Sequence, residues 1–517
     1  MLAVAQTAMA EDVYRLDVVP SEGRIQVRAE LRELKAGEVL CLPAFGQRQG
    51  EHLTLQSVQL VGAEDKAFDH AGCLRAVREG DARFEYTLRM EELVEGHYWS
   101  ASALSPLHQG GYLVFPGESL FVERGVKESP SGAAETIVYI SDETQTVSTL
   151  RVNALQEGAG GHSQSYRARD RFELTRSYWA FGQFKMLVAS SDKVTWRLAV
   201  DEAWQTSIPT IERELSQVLE YYSLWMPQQT PDNISIYLFS VPYDASYHQG
   251  IARPGGIILE LGANAASRAE ERRVLMAHEL FHLYNGEGLR FDPSKYAQTA
   301  WFREGMTQYM AFKSLLAIGL ITREQLHHWM AQSISKQRGG VYDAYYHGFF
   351  VSYAIELQWA LYRTPYNLEN FWAFLGNSKQ WHDLHTNDSI RRLLMQYSAF
   401  DFDNFFKLYI PENARLPVTD LLMRNALNVG TTQVYHYSSG IEYGLDTKNA
   451  RLYARRVEKN GPAWQAGLRK GDILIPERNT NWNDDSDKRV TVVRGNQRIQ
   501  HRIPVTAFPV TEFVISY

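Results

Sequence analysis

Cysteine is nearly absent: Cys41 and Cys73 are the only two in 517 residues. A disulfide-built scaffold and a cysteine-built zinc site are therefore both excluded, while a single bond between these two stays open. Basic excess is missing as well. Lys+Arg 53 against Asp+Glu 60 leaves a net charge of −7, which offers no electrostatic footprint for nucleic acid or an anionic membrane. No uncharged apolar run approaches the length of about 20 residues that a spanning helix needs, so an integral membrane protein is not expected. Neither an internal repeat nor a low-complexity tract occurs.

What remains is an ordinary globular composition, 44% apolar and 22% charged, which excludes a disordered chain, a collagen-like fibre and a coiled coil. The length suits roughly three domains. Aromatic residues make up 12%, as fits large cores or a peptide- or sugar-lined groove. The first ten residues, ending in Ala8-Met9-Ala10, read as the tail of a secretory signal with an A-x-A cleavage site and no basic n-region. A periplasmic or secreted location is the first expectation; a cytoplasmic one is the alternative. Oligomeric state is not legible.

Three textures divide the chain. Over residues 12–198 short alternating runs such as Arg24–Leu31, Arg83–Arg89 and Glu135–Ile140 predict half-buried antiparallel strands and a β-sandwich-like domain. Glu157–His162 reads as a Gly-rich loop. Residues 199–428 turn helical, with amphipathic segments over Ile208–Trp225, Glu270–Gly286, Thr299–Leu320, Arg323–Lys336 and His347–Tyr362. Strands at Ile234–Phe239 and Ile257–Leu261 add a small sheet to this mainly α domain. Residues 429–517 return to strands. The fold class is multidomain α+β.

The chemistry concentrates in Leu275-Met276-Ala277-His278-Glu279-Leu280-Phe281-His282-Leu283-Tyr284. On a helix His278 and His282 project from one face, one turn apart, and can close on one metal ion. Glu279 sits beside the first histidine, placed to take a proton from water. Zinc catalysis needs three protein ligands and an open fourth position. Trp301-Phe302-Arg303-Glu304-Gly305 offers the third: Glu304 in an aromatic stretch is costly to bury unless paired or metal-bound. The alternative is a surface glutamate on an amphipathic helix.

His278-Glu279-Leu280-Phe281-His282-Leu283-Tyr284-Asn285 resembles the His-Glu-x-x-His-x-Trp-Asn signature of the glycyl aminopeptidase family of gluzincin metallopeptidases, with Tyr284 in place of the tryptophan. Trp301–Gly305 is similar to that family's glutamate-ligand segment. The resemblance implies an N-terminal β domain, a thermolysin-like catalytic domain and a C-terminal PDZ domain, in the order already read from texture. It also implies one Zn2+ per chain held by His278, His282 and Glu304, with Glu279 as general base and peptides as substrates.

Further roles follow from the same resemblance. Tyr345-Tyr346-His347-Gly348 is similar to a segment that supplies an oxyanion donor, which points to Tyr345; Tyr346 or His347 would serve if the register differs. Aminopeptidases of this kind anchor the substrate's amine on a Gly-Gly strand. Here that strand reads Gly255-Gly256-Ile257-Ile258-Leu259-Glu260. Ile258 occupies the aligned carboxylate position, so Glu260, two residues on and on the same strand face, is the substitute anchor or an ordinary strand charge. The strand itself is expected to pair with an extended substrate.

Gly461-Pro462-Ala463 through Gly471-Asp472-Ile473 resembles the core of bacterial PDZ domains, for docking or C-terminal peptide capture. His327 and His328 read as an exposed helix face rather than a second metal site, and His248 and His347 as cleft-lining or, more often for a lone histidine, simply hydrogen-bonded residues. The leading expectation is an aminopeptidase for peptides with small N-terminal residues, Gly or Ala. The alternatives are an endopeptidase with a displaced amine anchor and a non-catalytic peptide-binding scaffold.

Overall fold

The computed structural model describes residues 11–42, 53–61, 73–76, 79–92, 106–124, 135–141, 144–158, 161–190, 194–227, 230–241, 248–262, 268–286, 296–338, 343–377, 386–411, 414, 416–424, 427–446, 451–476, 487–494 and 497–516. It is a mixed α and β chain with several sheets. The signal-like residues 1–10 lie outside the described residues.

The N-terminal region holds a seven-stranded sheet ordered Arg151–Gly158, Gly161–Ala168, Thr136–Ser141, Asp12–Val19, Arg24–Leu34, Gly80–Met90, Leu53–Val61. Alternation does its work here: Tyr14, Leu16 and Val18 are buried while the residues between them are less so. The stretch read as a Gly-rich loop instead carries strands up to Gly158 and again from Gly161. A four-stranded sheet includes Tyr112–Pro116 and Tyr178–Gly182, both buried at every position. Their core also takes in Tyr237, Phe239 and Ile258 from the next sheet, so continuous apolar runs mark strands covered on both faces. Cys41 and Cys73 are bonded to each other across paired strands.

The next sheet has five strands, in the order Lys185–Ser190, Thr195–Val200, Asn233–Val241, Gly256–Gly262, His248–Arg253. The boundary drawn at residue 198 falls inside this sheet. Its middle strands run parallel, and His248–Arg253 forms an antiparallel edge on Gly256–Gly262. One face, with Ile257, Leu259 and Leu261, packs on the helices. The other, with Tyr237, Phe239 and Ile258, packs on the N-terminal sheets.

Helix Ile208–Trp225 buries Ile211, Leu215, Val218, Leu219 and Tyr222 at three-and-four spacing, the stripe expected of an amphipathic helix. It grips the helix Ala269–His282 at two points. Its Glu214, fully buried, accepts from Arg272 at 2.6 Å and Arg273 at 2.8 Å. The Tyr222 hydroxyl donates to the Ala277 carbonyl at 3.0 Å. The C-terminal region forms a five-stranded antiparallel sheet from Ile441 to Ile503, with a short helix, Pro462–Gln465, among its described residues. Strands Asn428–Ser438 and Thr506–Ser516 pair separately, and Ile515 and Phe513 from them join the core of the helical region. Among the described residues no helix is long and apolar enough to cross a membrane.

Candidate active site

Helix Ala269–His282 places His278 and His282 one turn apart, with their Nε2 atoms 3.0 Å from each other. Glu304 arrives from a π-helical segment, Trp301–Met306, set between helices Tyr296–Ala300 and Thr307–Ala317. Its Oε2 stands 3.2 Å from His282 Nε2 and 3.6 Å from His278 Nε2. Among the described residues these three side chains form the one group of His, Cys, Asp and Glu able to hold a metal ion. Two imidazole nitrogens and one carboxylate oxygen, converged within 4.8 Å, fit the three-ligand set of a catalytic zinc ion.

Each ligand is held from behind. His282 Nδ1 lies 2.9 Å from the Asn285 carbonyl oxygen, so the ring donates there and turns Nε2 toward the group. Glu304 Oε1 is taken by the Arg303 guanidinium at 3.2 Å, leaving Oε2 to the histidines. Burial would raise the Glu304 carboxyl, but the two histidines outweigh it and hold it well below the ordinary carboxylate range. Burial pushes His278 down.

Glu279 points to the edge strand. A Cβ at Gly250 would stand 2.4 Å from Glu279 Cγ and 2.6 Å from its Oε1, so only glycine leaves room for the carboxyl. Burial raises this carboxyl to about 7, opposed by His282 and by the Ala252 backbone N–H that it accepts. Tyr345 stands beside His278. Asp343 caps the helix Ala344–Leu361 by accepting from the Tyr345 and Tyr346 N–H groups, which puts Tyr345 on its first turn. The Tyr345 ring stacks on His278 at 5.5 Å. Burial, then the Glu304 and Glu279 carboxylates, push its hydroxyl up.

That helix comes close because glycine meets glycine. A Cβ at Gly305 would be 2.3 Å from Gly348 Cα, and one at Gly348 would be 2.0 Å from the Trp301 carbonyl oxygen. Tyr346 turns away to pack on Trp329, and His347 is buried against the Tyr409 carbonyl at 2.8 Å.

The structure does not bring Glu260 to this group. Glu260 shares its strand face with Ile258, which packs on the N-terminal sheets, whereas Ile257 and Leu259 face the helices. Its carboxylate acts on Tyr112 and Tyr178 of the N-terminal region. Gly255 and Gly256 are packing positions: Gly255 has φ +80° and a Cβ there would be 2.4 Å from the Thr149 carbonyl oxygen, while one at Gly256 would be 2.2 Å from that of Ser235. The strand Gly256–Gly262 is also paired on both sides, so it has no free edge for a substrate. The strand at the sheet edge is His248–Arg253. His327 is buried, at 8% exposure, rather than on an open helix face. Sequence reasoning passed over Gly250, Arg303 and the role of Asn285, although Asn285 stood in the quoted motif.

Residues 271–371, about one fifth of the chain, match the family model described as M61 glycyl aminopeptidase. The stretch takes in both histidines, Glu279, Glu304 and Tyr345. No curated protein matches the chain. Among solved structures, an aminopeptidase N family protein from Idiomarina loihiensis superposes with TM-score 0.68 at 14% identity, covering 98% of each chain. An M1 zinc metallopeptidase from Deinococcus radiodurans gives 0.54 at 14% identity over 79% of this chain and 95% of its own. The same enzyme bound to a Tyr-Ser-Ala substrate gives 0.53 at 15% identity over the same shares. At such identities these are likenesses of fold. With the family match and the convergent ligand group, the chain is an enzyme of the zinc metallopeptidase kind.

Proposed function

We propose that this zinc metallopeptidase is an aminopeptidase that releases small N-terminal residues, Gly or Ala, from peptides. The observation that carries the peptidase reading is the convergence of His278 Nε2, His282 Nε2 and Glu304 Oε2 beside a buried carboxyl, Glu279. The exopeptidase reading is supported by the glycyl aminopeptidase model over residues 271–371.

His278, His282 and Glu304 would hold one zinc ion. When bound, zinc supplies Lewis acidity, drawing the pKa of water toward about 7 and polarising a scissile carbonyl. Glu279 takes the proton of the attacking water and returns it to the leaving amine. Its carboxyl lies in the space that the missing side chain of Gly250 leaves open. The Tyr345 hydroxyl, on a ring stacked against His278, donates to the oxyanion as it develops.

A second reading, internal cleavage, is favoured by one observation: the carboxylate expected to anchor the substrate's amine, Glu260, lies on the far face of the sheet. The C-terminal five-stranded sheet with its short helix Pro462–Gln465 supports a PDZ-like domain with a structural or docking role. The Cys41–Cys73 bond supports a periplasmic or secreted location, where disulfides persist.

The test is Glu279→Gln assayed for turnover and for zinc content together. Retained zinc with turnover abolished supports the assignment; unchanged turnover removes Glu279 from the mechanism.

A further inference from the structure

The ligand Glu304 sits in the least regular part of its helix. A π turn carries one residue more than an α turn and has poorer hydrogen bonding, so it persists where other groups satisfy the carbonyls it displaces. Here the Thr307 N–H goes to the Glu304 carbonyl. The Arg303 carbonyl accepts from two side chains, the Thr307 hydroxyl at 2.6 Å and Asn285 Nδ2 at 3.4 Å. Asn285 Nδ2 also donates to the Phe302 carbonyl at 2.9 Å and meets the Thr307 hydroxyl oxygen at 3.0 Å.

Asn285 is fully buried, three residues after His282 and 19 before Glu304. Its amide has one workable orientation, because an oxygen turned to that side would face two carbonyl oxygens. Its own carbonyl accepts from the His282 ring at 2.9 Å. One residue thus touches both elements that bring ligands to the group, through its backbone on one side and its side chain on the other.

We infer that Asn285 is a positioning residue, a clamp that holds the π turn open so that Glu304 meets His278 and His282. Without it the segment relaxes toward an α-helix. Loss of one inserted residue turns the following positions by about 100° relative to the preceding helix, which carries Glu304 off the histidines. The inference rests on the metal-ligand reading of these three residues, but the π turn itself is observable without any metal.

The experiment uses the full chain with Asn285→Ala and Asn285→Asp. Both keep the backbone carbonyl that orients His282; Asp keeps the size but has no N–H to donate. Two readouts are taken: zinc affinity by chelator competition, and amide hydrogen exchange over residues 301–307 in chelator. Both variants are expected to bind zinc about 10- to 100-fold more weakly, the usual effect of losing a group that orients a ligand, and to exchange faster over 301–307. Thr307→Val is expected to move the same two readouts by a smaller factor. Faster exchange with unchanged zinc affinity would overturn the clamp, leaving Asn285 only structural. Unchanged exchange would overturn it outright. Wild-type protein that binds no zinc, or keeps it in His282→Ala, would instead sink the ligand reading.

Discussion

Gly250 on the edge strand and Glu279 on the histidine helix occupy one space: a Cβ on residue 250 would lie 2.4 Å from the Glu279 Cγ. The substitution Gly250→Ala must therefore push the carboxyl aside, while the three metal-holding atoms sit on other residues. A displacement near 1 Å at a catalytic group costs up to about 10²-fold in rate. Gly250→Ala is expected to lose activity on that scale and to retain full zinc content, read by steady-state assay and metal analysis. Loss of zinc in parallel with activity would contradict the separate roles.

The glycine crossing that brings Tyr345 near His278 makes a stability prediction. Gly348→Ala places a methyl 2.0 Å from the Trp301 carbonyl oxygen and 2.8 Å from Gly305 Cα. Overpacking of this kind costs about 1–3 kcal/mol or more, so the thermal midpoint falls. Gly430→Ala meets nothing within 4 Å and serves as the control, expected within about 0.5 kcal/mol of wild type. Equal melting of the two variants would mean that the helices are not in contact there.

Metal removal makes a third. A ligand that binds only the native state stabilises it by RT ln(1 + [L]/Kd), about 4 kcal/mol at a thousandfold excess over Kd. Chelation is expected to lower the melting of the helical region and added zinc to restore it, followed by calorimetry. A melting profile indifferent to both would count against a metal shared by the two helices.

The C-terminal sheet makes a pH prediction. Burial raises the Asp472 carboxyl, but Arg494, with its Nη2 at 2.6 Å, and the Arg469 backbone N–H outweigh it and hold it below its ordinary 3.8. A depressed carboxyl contributes stability above its unfolded pKa and loses it as pH falls through the folded value. Asp472→Asn is therefore expected to destabilise this sheet at neutral pH, by about 1.5–3 kcal/mol for a charged hydrogen bond. The difference from wild type closes as pH drops below about 4. Hydrogen exchange over residues 490–503 measures it; a difference that grows toward acid would reverse the sign.

The histidine helix was legible because its information is local: two residues four apart, a carboxylate between them and apolar flanks. Helix Ile208–Trp225 was legible to the residue for the same reason. Thr299–Leu320 read as one continuous helix, and no periodicity announces the π segment at Trp301–Met306, since it is set by Asn285 from another element. The strand with Glu260 was found, but alternation gives a strand's two faces without saying which neighbour each meets. Nor does it say which strand ends the sheet. Those facts depend on the fold of the N-terminal region, so alternation left Glu260 open as amine anchor or ordinary strand charge, and the fold turns it toward Tyr112. Gly255 and Gly256 stood in a suggestive pair, yet their reason is contact with Thr149 and Ser235.

The most direct test of the account is a mass-spectrometric time course on one set of peptides, each with its amine free and N-acetylated, using zinc-loaded protein. An aminopeptidase removes single small residues from the free forms and leaves the blocked forms intact. Cleavage of the blocked forms at internal bonds would contradict the aminopeptidase reading and make the turned-away Glu260 the explanation.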